Sequence, residues 1–209
     1  MTNNKEEECP YILWDDKVVY EGRWLRAKQV SFKRKENGTP GIWQIAERAT
    51  KPKDADVAGI CVIGILKRDG KKFLVLVKQY RIPVRAWCIE FPAGLVDKEK
   101  ESIIEAGLRE LKEEIGYVAD KVILEPRNIQ CLNPGLTDDS VQFMVVEIDG
   151  DNEINKNPKQ SLEEHECLSV VLVETDKVFD YLDKLEKSVQ VEAFVYTLGI
   201  ALKFNSCFF

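Results

Sequence analysis

Apolar and polar positions along this chain alternate with a strand period through the first two-thirds and with a helical period near the end. From Lys17 to Arg48 the segments VVYEG, LRAKQVSF and IWQIAER read as strands, and ENGTPG between the last two supplies a hairpin turn. A region of about thirty residues is too small to hold a core of its own. From Asp56 onward VAGICVIGIL, FLVLVKQY and WCIEF read as further strands, and VQFMVVEI and LSVVLV as two more after an intervening helix. That helix is marked at its start by Ser102 and Glu105 in capping-box spacing, along one face by Ile104, Leu108, Leu111 and Ile115, and at its end by Gly116. After Asp176, DKVFDYLDKLEK and VEAFVYTLGIALKF carry helical periodicity. The expected organisation is a tail over 1–16, a β region over 17–54 and a main domain over 55–209, without internal repeats or low-complexity segments.

Composition narrows the function classes. With 44% hydrophobic and 32% charged residues in 209, the chain can bury a substantial core. A net charge of −6 argues against a nucleic-acid polymer as partner, because phosphate contacts need clustered Lys and Arg. An anionic substrate would instead need a cation as mediator. The six cysteines (Cys9, Cys61, Cys88, Cys131, Cys167 and Cys207) form no C-x-x-C pair and read as reduced thiols, several of them in the core. The single histidine, His165, argues against a histidine-rich metal site. The N-terminal MTNNKEEECP is unlike a signal or transit peptide, and no apolar run is long enough to cross a bilayer. No membrane association is expected; the expected location is the cytoplasm, with a nuclear pool left open.

The intervening helix carries the chemistry. Glu110, Glu113 and Glu114 stand at i, i+3 and i+4, a spacing that puts three carboxylates on one helix face and predicts that they converge. Hard oxygen ligands of this kind suit Mg²⁺ or Mn²⁺. The bland alternative is a solvated face on which Arg109 and Lys112 pair with the glutamates.

What precedes the cluster changes the balance. Gly94, Glu101, Arg109-Glu110-Leu111, Glu113-Glu114 and Gly116-Tyr117 together closely resemble the Nudix box, G-x5-E-x7-R-E-U-x-E-E-x-G-U, in which U is a bulky apolar residue. Every fixed letter is present, with one departure: six residues instead of five separate Gly94 from Glu101. Outside the box, EGRW, IWQIAER, VKQYR, WCIEFPAGLVD, CLNPGLTDDS and VYTLGIALK resemble the ADP-sugar pyrophosphatase branch of that family.

The resemblance implies an α/β fold, the Nudix α/β/α sandwich with a mixed sheet, carrying a small N-terminal antiparallel β region. It implies two or three Mg²⁺ ions, with Mn²⁺ as a substitute, held by Glu110, Glu113 and Glu114, with Arg109 orienting these ligands and Glu90 and the Ala93 carbonyl also at the metal cluster. The catalytic base would come from KQSLEEHECLSV, where Glu166 aligns best and Glu164 and Glu163 compete; a plain charged surface loop is the other reading. Trp24 and Trp43 match two rings that sandwich adenine, contributed across a homodimer by exchanged β regions, against the simpler role of anchoring that region. Arg48 and Arg81 match phosphate or base contacts, or else are surface ion-pair partners. Leu132, Pro134 and Gly135 lie in the turn that would line the substrate pocket. The implied activity is hydrolysis of ADP-sugars, chiefly ADP-ribose to AMP and ribose 5-phosphate. The alternatives are a Nudix hydrolase acting on another nucleoside diphosphate sugar or an oxidised guanine nucleotide, and a Nudix-fold binding module without turnover.

Overall fold

A computed structural model describes residues 8–51, 57–96, 98 and 100–205. Strands β1 (Tyr11–Glu21), β2 (Leu25–Arg34) and β3 (Pro40–Arg48) are followed by β4 (Gly59–Arg68), β5 (Lys71–Arg81), β6 (Ala86–Glu90) and β7 (Ala93–Leu95). Then come helix α1 (Ile103–Ile115), strands β8 (Lys121–Leu124), β9 (Gln130–Cys131), β10 (Ser140–Asp149) and β11 (Leu168–Glu174), helix α2 (Val178–Asp183), strand β12 (Val189–Val191) and helix α3 (Ala193–Lys203).

The chain divides into two units. The first is the chain up to Ala58 together with Gln130–Ser140; the second is Gly59–Ile129 with the chain from Val141 onward. In the first, β1, β2 and β3 form an antiparallel sheet in that order. β1 begins at Tyr11, inside the stretch expected as tail, because YILW and KVVYE are one strand interrupted by a bulge at Asp15 and Asp16; Asp15 takes φ 54 and the pairing with β2 skips between Trp14 and Lys17. Two consecutive aspartates hide that continuity from a period-2 reading. Segment 130–140 joins this unit instead of the main domain because it bonds to β3: Ala46 N–H donates to Leu136 O at 3.0 Å and Trp43 Nε1 to Gly135 O at 3.3 Å.

The second unit is built on a mixed sheet running β12-β6-β5-β4-β10-β8, with β11 also pairing β5 and β7 pairing β4. β4–β10 and β6–β12 are parallel, and the other pairs are antiparallel. β5 shows how the sheet serves two cores: Val75 and Val77 face α1 with Ala106, Leu111 and Ile115, whereas Leu74 and Leu76 face Val178, Leu182 and Val195 of α2 and α3. Alternation along one strand thus produces the expected helix–sheet–helix layering. Gly107 lets α1 sit close on the sheet, since a Cβ there would stand 2.7 Å from the Met144 methyl. β8 and β12 have only a few residues each and carry too little pattern to be read from sequence.

Among the described residues no helix is long and apolar enough to cross a membrane. Cys61 and Cys88 are buried, while Cys9, Cys131 and Cys167 are exposed; Cys207 lies outside the described residues.

Candidate active site

α1 starts and stops as its sequence requires. Ser102 Oγ accepts from Glu105 N–H, the Glu105 carboxylate accepts from Ser102 N–H at 2.8 Å, and Gly116 ends the helix in the left-handed conformation with φ 76. These caps fix the rotation of the acidic face relative to β7. Gly94 then provides clearance: a Cβ there would lie 1.9 Å from Glu110 Cδ, so only glycine lets the Glu110 carboxylate rest on the β7 backbone.

Arg109 is the hub of the helix face. Its Nε and Nη2 donate to the two Glu101 carboxylate oxygens at 2.8 and 3.0 Å, and Nη1 donates to Glu110 at 2.6 Å and Glu113 at 2.9 Å. Nη2 also reaches Leu95 O at 3.3 Å. The grip on Glu101 is bidentate, a geometry that fixes the orientation of the guanidinium as well as its position. The Arg109 guanidinium holds the Glu101 carboxyl below the usual carboxylate range, and the hydrogen bonds it donates to Glu101 are the main reason Arg109 is itself held more firmly protonated.

The three glutamates share the helix face that their spacing predicts, but their carboxylates have different partners. Among the described residues no group of three acidic, histidine or cysteine side chains is arranged to hold a metal. The physical reason is competition: Arg109 takes Glu110 and Glu113, while Glu114 turns away to accept from Ala93 N–H at 3.1 Å. Glu113 is the most open of the three and also lies 3.8 Å from Lys98. Glu114 is only 5% exposed, and burial, with lesser contributions from Glu110 and Glu166, pushes its carboxyl up to about 8. Burial likewise raises Glu110, although Arg109 opposes it.

The fit to a divalent cation rests on this electrostatics. Glu110 and Glu114 are carboxyl groups in a poorly solvated place, and the Glu166 charge acts on both, so these hard oxygen donors stand where a divalent cation would offset their mutual repulsion. Arg81 occupies the Glu90 carboxylate through three contacts of 2.6–3.1 Å, and the Arg81 charge also acts on Glu114. Ala93 is held through its N–H by Glu114.

The acidic loop before β11 folds on itself. Glu166 N–H donates to Glu163 O at 3.0 Å, and Glu163 N–H donates back to the Glu166 carboxylate at 2.8 Å. Glu166 is half-buried, whereas Glu163, Glu164 and His165 are exposed.

The remaining substrate-site candidates, apart from Arg81, lie in the first unit. Trp24 and Trp43 are 63% and 48% exposed, and the Arg23 guanidinium stands 4.5 Å from the Trp24 ring centre. Trp43, Phe32, Leu13, Pro134 and Leu136 line a cleft of about 310 Å³. Leu132 and Gly135 belong to the same 130–140 segment, where Leu132 N–H donates to Asp139 O at 3.1 Å. Arg48 pairs with Asp139 at 3.2 Å in this unit. Trp87 makes an edge contact with Tyr80 at 5.6 Å between ring centres and remains 37% exposed.

Two contributors were hidden in the sequence. Glu192 precedes α3 and reads there as helix surface, yet its carboxylate accepts from Phe91 N–H at 3.3 Å and burial pushes it up to about 7. Gln160 sits in a polar loop without any motif and reaches the end of α1, donating to Glu114 O at 2.6 Å.

A model of the NUDIX domain matches residues 57–192, which takes in the sheet, α1 and the acidic loop. The chain belongs to the Nudix family. It is a Nudix hydrolase with the box carboxylates in place. A Caenorhabditis elegans protein named to the same family is 43% identical over 94% of this chain and 92% of its own length. The ADP-sugar pyrophosphatase of Mus musculus is 32% identical over 97% of this chain and 93% of its own. The ADP-ribose pyrophosphatase of Saccharomyces cerevisiae is 36% identical over 82% and 73%, respectively. The crystal structure of an ADP compounds hydrolase superposes with a TM-score of 0.66 at 18% identity, covering 97% of this chain and 98% of that one, a likeness of fold.

Proposed function

We propose that this Nudix hydrolase is a Mg²⁺-dependent ADP-sugar diphosphatase, acting chiefly on ADP-ribose to give AMP and ribose 5-phosphate, as a cytoplasmic homodimer. The observation that carries the reading is the arrangement at α1: half-buried Glu110 lies against Gly94 and buried Glu114 against Ala93 N–H, burial raises both, and Glu166 is among the charges acting on both. Glu110, Glu113 and Glu114, with Glu90 and the Ala93 carbonyl, would hold the ions. When bound, Mg²⁺ or Mn²⁺, two or three ions per site, neutralises the diphosphate and acidifies the attacking water. Arg109 keeps the glutamates in register, and Glu166 takes the proton from water as the new O–P bond forms and the diphosphate bridge breaks. Its partial burial, set against the exposure of Glu163 and Glu164, favours Glu166 over its neighbours.

Adenine specificity is supported by the names of the mouse and yeast relatives and by the apolar cleft beside Trp43. The dimer is supported by geometry within the first unit. Ala49 N–H donates to Trp24 O, and Trp43 lies six residues back along β3, so the backbones that carry the two tryptophans are about 20 Å apart along the strand. One purine cannot bridge that span. A clamp made of Trp24 and Trp43 therefore needs the rings to come from different subunits, and the exposed Ile12, Leu13, Trp14, Val18, Val19 and Tyr20 of β1 offer apolar surface for such an interface. Arg81 would turn from Glu90 to the diphosphate when substrate enters.

The test is a substrate panel with Mg²⁺, the products separated by chromatography. AMP and ribose 5-phosphate from ADP-ribose, at a higher kcat/KM than GDP-sugars, UDP-sugars or oxidised guanine nucleotides give, is the expected result. Preferred turnover of one of the latter would move the chain to another Nudix specificity, and no turnover of any would leave a binding module.

A further inference from the structure

A helix leaves the carbonyls of its last turn without partners, and something must satisfy them. In α1, Lys112 O is taken by Gly116 N–H at 3.0 Å. The next two are taken by a segment more than forty residues further on: Ser161 N–H donates to Glu113 O at 2.8 Å, and the Gln160 side-chain amide donates to Glu114 O at 2.6 Å. Gly116 makes room for this docking, since a Cβ there would stand 2.4 Å from Lys159 N. From that anchor the chain passes Leu162, packed against the α1 side of the core, closes the Glu163–Glu166 turn, and enters β11 at buried Leu168.

The two glutamates whose carbonyls are capped, Glu113 and Glu114, are two of the three α1 carboxylates proposed to hold metal, and the capping segment leads directly into the loop that carries Glu166. We propose that Gln160 is a positioning residue: by capping the Glu114 carbonyl it fixes the Glu166 loop against the carboxylate face of α1. Its part in catalysis rests on Glu166 as base; its part as anchor does not. Gln160 is exposed as a residue, so its replacement opens no core cavity.

Gln160→Leu removes the donor at similar size, and Gln160→Arg restores a donor. Hydrogen exchange in metal-free protein reads the anchor: the peptide over 160–168 should exchange faster in Gln160→Leu, the body of α1 should not change, and Gln160→Arg should regain protection. Steady-state hydrolysis of ADP-ribose reads the consequence: kcat should fall roughly ten-fold, as for a sub-ångström misplacement of a catalytic group, with KM and Mn²⁺ affinity by paramagnetic resonance unchanged. Combined with Glu166→Gln, Gln160→Leu should cost nothing further. Unchanged exchange over 160–168 overturns the proposal. So does full kcat in Gln160→Leu while Glu166→Gln is inactive, or a multiplicative loss in the double variant. Full activity of Glu166→Gln would instead sink the base assignment, and the exchange data alone would then decide the anchor.

Discussion

Replacing Glu114 with glutamine should make the metal-free protein more stable while abolishing its activity. The carboxyl is pushed up to about 8 in the fold, against an ordinary value of 4.5 for a glutamate. At pH 7 the unfolded chain has released this proton and the folded chain still holds it. A raised acid pKa contributes stability that is complete below pH 4.5 and is lost as pH rises through 8, the sign required when the native state binds more protons. At pH 7 the penalty is about 3 kcal/mol at 1.36 kcal/mol per pH unit, an upper bound for a 5% exposed side chain. Glutamine removes it and keeps an oxygen for Ala93 N–H, but it places an NH₂ where an acceptor stood, which returns about 1 kcal/mol. The expected gain is about 2 kcal/mol, or several degrees in Tm at ~2–4 °C per kcal/mol. Thermal unfolding in EDTA at pH 7–8 measures it. Saturating Mg²⁺ should reverse the order, since it binds and stabilises only the wild type, and turnover should fall by several kcal/mol of lost transition-state stabilisation. More than about a tenth of wild-type kcat at saturating Mg²⁺, or no stability gain in EDTA, would refute the reasoning.

Glu166→Gln should lower kcat at least a hundred-fold with KM nearly unchanged; steady-state kinetics on Glu163→Gln and Glu164→Gln in parallel would expose a register error if only Glu164→Gln silences the enzyme. Trp24→Ala or Trp43→Ala should raise KM for ADP-ribose by roughly one to two orders of magnitude, about 1–3 kcal/mol for a lost stacking platform; light scattering that shows a fully active monomer would remove the shared clamp. Glu192, raised to about 7 by burial, makes wild-type stability fall as pH climbs from 4.5 through 7. Glu192→Gln should flatten that part of the Tm–pH curve, and an unchanged slope would count against a buried carboxyl there.

Much of the fold was legible because its signals are local. The capping box at Ser102 and Glu105, the stripe through Leu111 and Ile115, and the stop at Gly116 each depend on neighbours within a turn, and all three hold. The box letters also marked the helix that matters. What spacing could not supply was competition among partners: i, i+3, i+4 places Glu110, Glu113 and Glu114 on one face, but only the folded chain shows Arg109 and Ala93 N–H claiming them. Gln160 and Glu192 were illegible for another reason. Each acts through contacts made across dozens of residues, and neither sits in a pattern of its own.

The bulge at Asp15 and Asp16 bears on how this protein survives at high concentration. β1 is an edge strand of its sheet, and YILW and KVVYE are rich in the residues that template pairing between molecules. Two acidic residues, one of them in the left-handed region, interrupt the straight hydrogen-bonding edge midway, where a second edge would dock. The expected outcome is finite species instead of open-ended strand addition along this edge. Straightening the edge, by deleting the bulged residue or replacing the aspartates with valines, would trade that outcome for fibre-like growth, visible as thioflavin-positive turbidity.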